Sequence, residues 1–305
     1  MVQSIILTGP TAVGKSALAI EIALKCNLEI INADTVCYYK DFDIGSAKPS
    51  KAELARVKHH LIDIANPETT YHAGQFLRDV KQVMLDLNAR NKRALIVGGS
   101  GFYLKALRLG LWDAPETSQE FRTTLEDVPT DVLYTQLLGL DPNHAKKVGP
   151  ADRYRIIRAL EIITLSGKKP SELQSEMKQE VSPSYELWVV DREPDELKAR
   201  MRSRIEAMIE NGLIKEVEKL KIQYPNSKVL ASVGYAQVIH YLEGITPAGR
   251  KVRPGIPGLV DEIELSHRQL AKAQRTWFKN LQPNEWFTLD AQNPGLTEKL
   301  MNFYQ

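Results

Sequence analysis

The stretch SIILTGPTAVGKSALAIEIAL, Ser4 to Leu24, decides the fold of this 305-residue chain. Ser4 to Thr8 is a short apolar run rich in β-branched residues, which predicts a strand. Gly9 and Pro10 close it, and from Lys15 to Leu24 the apolar residues Leu18, Ile22 and Ala23 recur at helical spacing. Between strand and helix lies GPTAVGKS, residues 9–16, which satisfies G-x-x-x-x-G-K-[ST] with Gly9, Gly14, Lys15 and Ser16. Glycines let successive backbone N–H groups curl round phosphate oxygens, and the helix N-terminus adds a favourable partial charge. Lys15 supplies a mobile full charge, the Ser16 hydroxyl is the expected Mg²⁺ ligand, and Thr11 offers one more donor inside the loop. Gly9, Pro10, Thr11, Ala12, Val13, Gly14, Lys15 and Ser16 are therefore read as a diphosphate or triphosphate site. The motif does not say which phosphate compound binds or whether phosphoryl transfer follows.

Working outward, similar apolar runs recur at Leu28 to Ile31, Leu61 to Ile64, Ala94 to Val97 and Leu187 to Val190, with helix-like stretches such as Gln75 to Leu87 between them. This alternation predicts an α/β fold, a P-loop NTPase-like parallel sheet flanked by helices. From about Glu116 to Pro183 the strand signals stop and helical patterns take over between Asp141-Pro142, Gly149-Pro150 and Ser166-Gly167, which predicts an all-helical insertion domain. The expected organisation is a catalytic core of residues 1–115 and 185–305 with a helical insertion over 116–184. After the returning strand, Asp195 is the expected N-cap of a helix running to about Asn211, and Gly212 is placed to end it. Further helices are expected at 214–222 and 259–279. Residues 244–258, with four glycines and three prolines, are expected to form a loop.

The composition, 43% hydrophobic and 26% charged, is that of a soluble globular protein. Forty Lys and Arg against 38 Asp and Glu give a net charge of +2, so any footprint for nucleic acid must be local. One candidate lies between His144 and Lys169, where Lys146, Lys147, Arg153, Arg155, Arg158, Lys168 and Lys169 outnumber Asp152 and Glu161. A solvated helical face is the plainer reading of that run. Cys26 and Cys37 lack metal-ligand spacing, and the sequence opens on a strand-like run without signal-peptide features, so a reduced, cytoplasmic setting is expected. No apolar run approaches the roughly 18 residues of a membrane span.

Asp34, in NADTVCYYKDFDIGSAKPS at 32–50, falls just after the second expected strand, at the carboxyl edge where α/β enzymes place their sites. As a lone residue it has three readings: a metal ligand, a base, or the cap of a turn. The surrounding string, D-[ST]-x-x-x-Y-x-x-x-D-I-G-[ST]-A-K-P after the phosphate loop, closely resembles the tRNA dimethylallyltransferase family, the bacterial-type IPP transferases. HHLIDI at 59–64, GGSGFYLKAL at 98–107, RIIRALE at 155–161, LKARMRSRIEAMIENGLIKEV at 197–217 and RQLAKAQRTWF at 268–278 agree with it in order, nearly end to end.

The resemblance implies an enzyme that moves a dimethylallyl group from dimethylallyl diphosphate to the adenine amine beside the anticodon of tRNAs reading codons that begin with U. It implies that Gly9 to Ser16 hold the donor's diphosphate with Mg²⁺ and that Asp34 accepts the amine proton. Lys15, Thr11 and Arg204 then stabilise the leaving diphosphate, with Arg200 one helical turn from Arg204. For tRNA it implies contacts from Asp34, Thr35, Val36, Cys37, Ser100, Tyr154, Arg155, Ile156, Ile157 and Arg158, with Ser100 standing where the family has Thr. The adenine is expected to be turned out of its stack, and the basic run to grip anticodon-stem phosphates. Tyr154 or Tyr103 could stack on a splayed base, with half-buried packing as the other reading of each. The resemblance further implies a monomer. His59 and His60 are read as structural, and Trp277 and Phe278 as helix-packing residues.

The chain departs from the family at Cys37 and Tyr154, where glutamines are usual, and at Ala273, where a basic residue is usual and Arg275 follows two places on. The stretch 244–258 is also longer than usual, and no Cys/His zinc module follows the core. Three other functions fit parts of the sequence: a small-molecule kinase, a dimethylallyltransferase acting on free AMP, and a silent RNA-binding homologue.

Overall fold

The computed structural model describes residues 4–112, 114–176, 182, 184–246, 251–289 and 295–304. In chain order, β1 (Ser4–Thr8), α1 (Lys15–Cys26), β2 (Leu28–Asn32), α2 (Lys51–Arg56), β3 (His59–His60), α3 (Ala73–Ala89), β4 (Arg93–Val97) and α4 (Gly101–Leu109) come first. A run of helices follows: α5 (Gln119–Thr124), α6 (Thr130–Leu140), α7 (Pro142–Val148), α8 (Arg153–Ser166) and α9 (Pro170–Glu176). The chain closes with β5 (Tyr185–Asp191), α10 (Pro194–Glu210), α11 (Leu213–Gln223), α12 (Tyr235–Leu242), α13 (Gly255–Asn280), β6 (Glu285–Thr288) and α14 (Gly295–Tyr304). Two compact units divide these elements, Met1–Arg108 with Ser182–Gln305, and Leu109–Val181.

In the first unit the six strands form one parallel sheet in the order β3-β2-β4-β1-β5-β6. Ile6 of β1 stands in register with Ile96 of β4 on one side and Leu187 of β5 on the other. Ile5, Ile6 and Leu7 are fully buried, as a continuous apolar run between helix-covered faces requires. Because β1 lies between β4 and β5, segments leaving the carboxyl ends of these strands diverge and open a crevice at the sheet's edge. The C-terminal helix is tied to the centre of the sheet. The Tyr304 hydroxyl accepts from the Ile5 N–H (3.0 Å) and donates to the Ala94 carbonyl (2.8 Å), while Arg93 donates to the last carbonyls of α14 at Phe303 and Tyr304.

Several expectations need correction. The apolar run Leu61 to Ile64 is not a strand. Pairing stops at His60, and Leu61 and Asp63 take positive φ values of 61° and 56°, which end the extended backbone. The freed Leu61 carbonyl accepts from the Asn32 side chain (3.0 Å) instead. Strand β6 carried no signal that was read. α10 begins at Pro194, a favoured first-turn residue, so Asp195 lies inside the first turn and Glu193 is the N-cap. Gly212, at φ 97°, ends that helix as expected and starts α11. The 244–258 stretch is not a loop throughout: α13 starts at Gly255, and Pro257 is tolerated in its first turn because the N–H it lacks has no intrahelical partner there. Residues 247–250 lie outside the described residues.

The second unit is a set of helices around Leu133, Leu137, Ala145, Ile156, Ala159 and Leu160. At its centre the fully buried Glu161 carboxylate receives Arg122, Arg158 and the Ser118 N–H. Among the described residues no helix is long and apolar enough to cross a membrane.

Candidate active site

The phosphate loop leaves β1 at Gly9, where any side chain would strike the Val190 carbonyl at 2.1 Å, so glycine is the residue that lets the loop lie against β5. Ala12 (φ 64°) and Gly14 (φ 106°) turn the chain back into α1. The loop's carbonyl oxygens are taken by cations. Lys15 Nζ donates to Gly9 (2.8 Å) and Pro10 (3.0 Å), Arg200 Nε to Ala12 (3.1 Å), and Arg192 Nε to Val13 (2.8 Å). Three side chains thus hold the loop from its carbonyl side, which suits a loop whose work is done by N–H groups.

A cavity of about 130 Å³ opens at the carboxyl edge of the sheet, lined by Thr11, Lys15, Ser16, Asp34, Arg204 and Gln274 among others, with Ile30, Ile62, Val97 and Leu270 as its apolar part. Burial pulls Lys15 down to about 8, and neighbouring Arg204 pushes the same way while Asp34 opposes both. Arg204 is likewise lowered, first by burial, with Asp34 again opposing. Among the described residues its Nε is buried without a partner, and its Nη1 reaches only Thr11 Oγ1 at 3.5 Å. Two desolvated cations side by side, one with an unmet donor, are costly unless an anion joins them. A diphosphate fits that requirement. Ser16, exposed at the first turn of α1, could hold a Mg²⁺ through its hydroxyl. Among the described residues no cluster of three His, Cys, Asp or Glu could bind a metal, so such an ion would take its other oxygens from diphosphate and water.

Asp34 stands past the end of β2, braced by Asn32, whose side chain accepts the Asp34 N–H (3.1 Å) and donates to the Asp34 carbonyl (3.1 Å). Among the described residues its carboxylate accepts the Val36 N–H through Oδ1 at 3.4 Å, a long contact that leaves it capacity for a substrate proton. Ser100, at the entry to α4, accepts the Thr35 N–H (2.9 Å) and fixes the segment beside Asp34. His59 also faces the cavity, but burial lowers its pKa and its Nδ1 lies 2.8 Å from the Val57 carbonyl. His60 pairs with Glu29.

The other residues singled out by sequence are spread more widely. Thr35 and Val36 are half-buried next to Asp34, whereas Cys37 is buried, its thiol pushed up to about 12 mainly by desolvation. In the helical unit Tyr154 is 61% exposed, with the Arg122 guanidinium 5.5 Å from its ring centre, and the Arg155 side chain is 65% exposed. Ile156 is 0% exposed and Ile157 packs on the same core, so the Ile156 side chain is a core residue and cannot touch RNA. Arg158 is bound to Glu161 and to the Pro115 carbonyl, and Arg153 to the carbonyls of Leu125, Glu126 and Val128. The exposed part of the basic run is therefore Lys146, Lys147, Arg155, Lys168 and Lys169. Tyr103 is a core residue, packed on Tyr38 and Phe76 with its hydroxyl on the Tyr71 carbonyl, so the packing reading holds for it. Phe278 is fully buried, and the Trp277 ring covers Gly101.

Sequence reasoning missed Gln274, Arg192, and the pair Glu216 and Tyr235. Glu216 accepts the N–H groups of Asp43, Ile44 and Gly45, and the Tyr235 hydroxyl takes that of Ser46, which together shape the cavity wall at 46–49. Only the motif strings containing Gln274, Gly45 and Glu216 could have pointed there.

The IPP transferase family model matches residues 37–281, most of the chain, although the match begins after the phosphate loop and Asp34. The chain is 40% identical to tRNA dimethylallyltransferase 1 of Citrifermentans bemidjiense over 91% of its own length and 89% of that protein's. It is 38% identical to the tRNA dimethylallyltransferase of Chromobacterium violaceum, over 96% and 90%. Among solved structures, a eukaryotic dimethylallyltransferase acting on tRNA superposes with a TM-score of 0.83 at 26% identity, covering 98% of this chain and 77% of that one. The tRNA Δ(2)-isopentenylpyrophosphate transferase of Staphylococcus epidermidis does so with a TM-score of 0.68 at 28% identity, over 99% and 98%.

Proposed function

The chain belongs to the IPP transferase family, and we propose that it transfers a dimethylallyl group from dimethylallyl diphosphate to the exocyclic N6 amine of the adenine 3′ to the anticodon in tRNAs that read codons beginning with U. One observation carries the reading: a single cavity holds two desolvated cations, Lys15 and Arg204, and one carboxylate with spare accepting capacity, Asp34. The first pair calls for an anionic group, and the third suits a proton leaving a nucleophile.

The adenine amine is a weak nucleophile because its lone pair is delocalised into the ring. As its nitrogen bonds to the allylic carbon, the carbon–oxygen bond to diphosphate breaks, the bonding pair leaves on the diphosphate oxygen, and the amine proton passes to Asp34. A carboxylate is a weak general base, so its value is placement against the amine. Charge developing on the departing oxygen is met by Lys15, Arg204, the Thr11 hydroxyl and the loop N–H groups, which are already oriented toward it. A Mg²⁺ ion, when bound, would be held by the Ser16 hydroxyl and would supply further charge neutralisation. The apolar side of the cavity takes the hydrocarbon part of the donor.

The target base has to leave its stack to be reached. The exposed lysines of the helical unit and Arg155 take stem phosphates, and the open face of Tyr154 offers a stacking surface for an unpaired base. The protein does this work as a monomer in the cytoplasm.

The test is transfer of label from radiolabelled dimethylallyl diphosphate, with Mg²⁺ and no ATP, to unmodified tRNA carrying the adenine, with AMP as parallel acceptor. Label in tRNA alone is expected. Label in AMP would replace the macromolecular acceptor by a free nucleotide, and label in neither, with ATP turnover on a small acceptor, would make the protein a kinase.

A further inference from the structure

Gln274 of α13 is 8% exposed and uses both ends of its amide on backbone that belongs to other elements. Its Oε1 accepts the Thr11 N–H of the phosphate loop at 2.9 Å, and its Nε2 donates to the Gly99 carbonyl at 2.9 Å. The amide orientation is unambiguous, since one partner can only donate and the other only accept. The contacts continue from Gly99. The next residue, Ser100, accepts the Thr35 N–H through its hydroxyl (2.9 Å) and donates its own N–H to the Ala33 carbonyl (3.4 Å), so it grips the chain on both sides of Asp34. The glycines of GGSG make room for this. A Cβ at Gly99 would stand 2.5 Å from Gln274 Nε2, and one at Gly98 would stand 2.1 Å from the Ala33 oxygen.

A hydrogen-bonded chain thus runs from Thr11 through Gln274, Gly99 and Ser100 to Thr35, joining the loop that holds the leaving group to the segment that carries the base. Gln274 lies in the cavity wall between them. We propose that Gln274 is a positioning residue for the transfer, an amide clamp that sets the spacing between the donor's diphosphate and the Asp34 carboxylate. This rests on the prenyl-transfer reading above. The clamp acts on alignment rather than on charge. Gln274 offers the diphosphate no full charge, and the Thr11 N–H that it holds is withdrawn from phosphate binding. Two reactants kept at attack distance gain most of their rate from placement, and a displacement of about 1 Å can cost about 100-fold.

The experiment compares wild type, Gln274→Leu, Gln274→Glu, Ser100→Ala and the double variant Gln274→Leu/Ser100→Ala. It reads single-turnover transfer at saturating dimethylallyl diphosphate and tRNA, and donor affinity by titration. Gln274→Leu should slow single turnover by between about 10- and 100-fold while donor affinity changes by no more than about threefold. Gln274→Glu, which keeps the acceptor for Thr11 but sets a carboxylate oxygen against the Gly99 carbonyl, should slow single turnover at least as much as Gln274→Leu and serves if Gln274→Leu does not fold. In the double variant the losses should be clearly less than multiplicative, because both substitutions cut the same chain. A role confined to satisfying buried backbone groups would lower donor affinity in step with rate and give multiplicative losses. Either of those results, or a Gln274→Leu rate within about twofold of wild type, overturns the proposal. Wild type that transfers no label at all would instead overturn the functional reading, and this proposal with it.

Discussion

Arg204→Met should make the ligand-free protein more stable while abolishing its response to diphosphate. Among the described residues Arg204 Nε is buried with no hydrogen-bond partner, Nη1 has only a 3.5 Å contact to Thr11 Oγ1, and a second cation, Lys15, shares the cavity. Burial accordingly drags its pKa below the ordinary arginine value, with Asp34 as the main opposing influence. A buried donor without a partner costs about 1–3 kcal/mol. Methionine keeps an unbranched side chain in the same space and carries no donor, so the apo protein should gain stability of about 1–3 kcal/mol. The same cost is the reason an anion binds. Inorganic diphosphate at about 100 times its dissociation constant should stabilise wild type by about 2.7 kcal/mol and the variant by far less. Urea unfolding, with and without diphosphate and Mg²⁺, separates the two effects as shifts in midpoint at constant slope. An apo variant less stable than wild type, or one whose midpoint diphosphate raises as far as it raises wild type, would refute the reasoning.

Further outcomes follow from the cavity and from the helical unit. Lys15 titrates at about 8 in the folded protein against 10.5 for an ordinary lysine. Between those values the unfolded chain binds more protons, so apo stability should rise with pH across the window, and Lys15→Met should remove the rise. Diphosphate affinity should fall as pH climbs through about 8, because the charge it needs is lost; calorimetric titration at several pH values checks both the sign and the window. Asp34→Asn should keep donor and tRNA binding yet lose turnover by about 100-fold or more, and turnover left within a few-fold of wild type would remove Asp34 from the base role. In the helical unit, Arg155→Ala should leave urea stability unchanged and lower the slope of log tRNA affinity against log salt by about 1. Arg158→Ala should instead cost about 1–3 kcal/mol of stability, since it strips a partner from the buried Glu161 carboxylate.

The sequence alone determined whatever depends on neighbours in the chain. Strand β1, the turn and α1 were readable because glycine torsions, apolar periodicity and the phosphate-loop spacing are local facts, and Gly212 ended a helix where its freedom at positive φ predicted. Asp34 could be placed at the sheet's edge for the same reason: it follows a strand. One error lay where a short apolar run had no local arbiter. Leu61 to Ile64 looks like a strand until Leu61 turns to positive φ and gives its carbonyl to Asn32, 29 residues away. Only the tertiary structure sorted the basic run. Arg153 and Arg158 point at carbonyls and at Glu161, whereas Arg155, two residues after Arg153 and three before Arg158, stays exposed. Gln274 was beyond local reading altogether, because its partner Thr11 is 263 residues distant and nothing in helical spacing records a contact closed by the fold as a whole. Elements are set by short-range torsional and hydrophobic preferences. A site is set by which long-range pairings the packed core allows, and those acquire their energy only once the sheet has brought β1, β2 and β4 side by side.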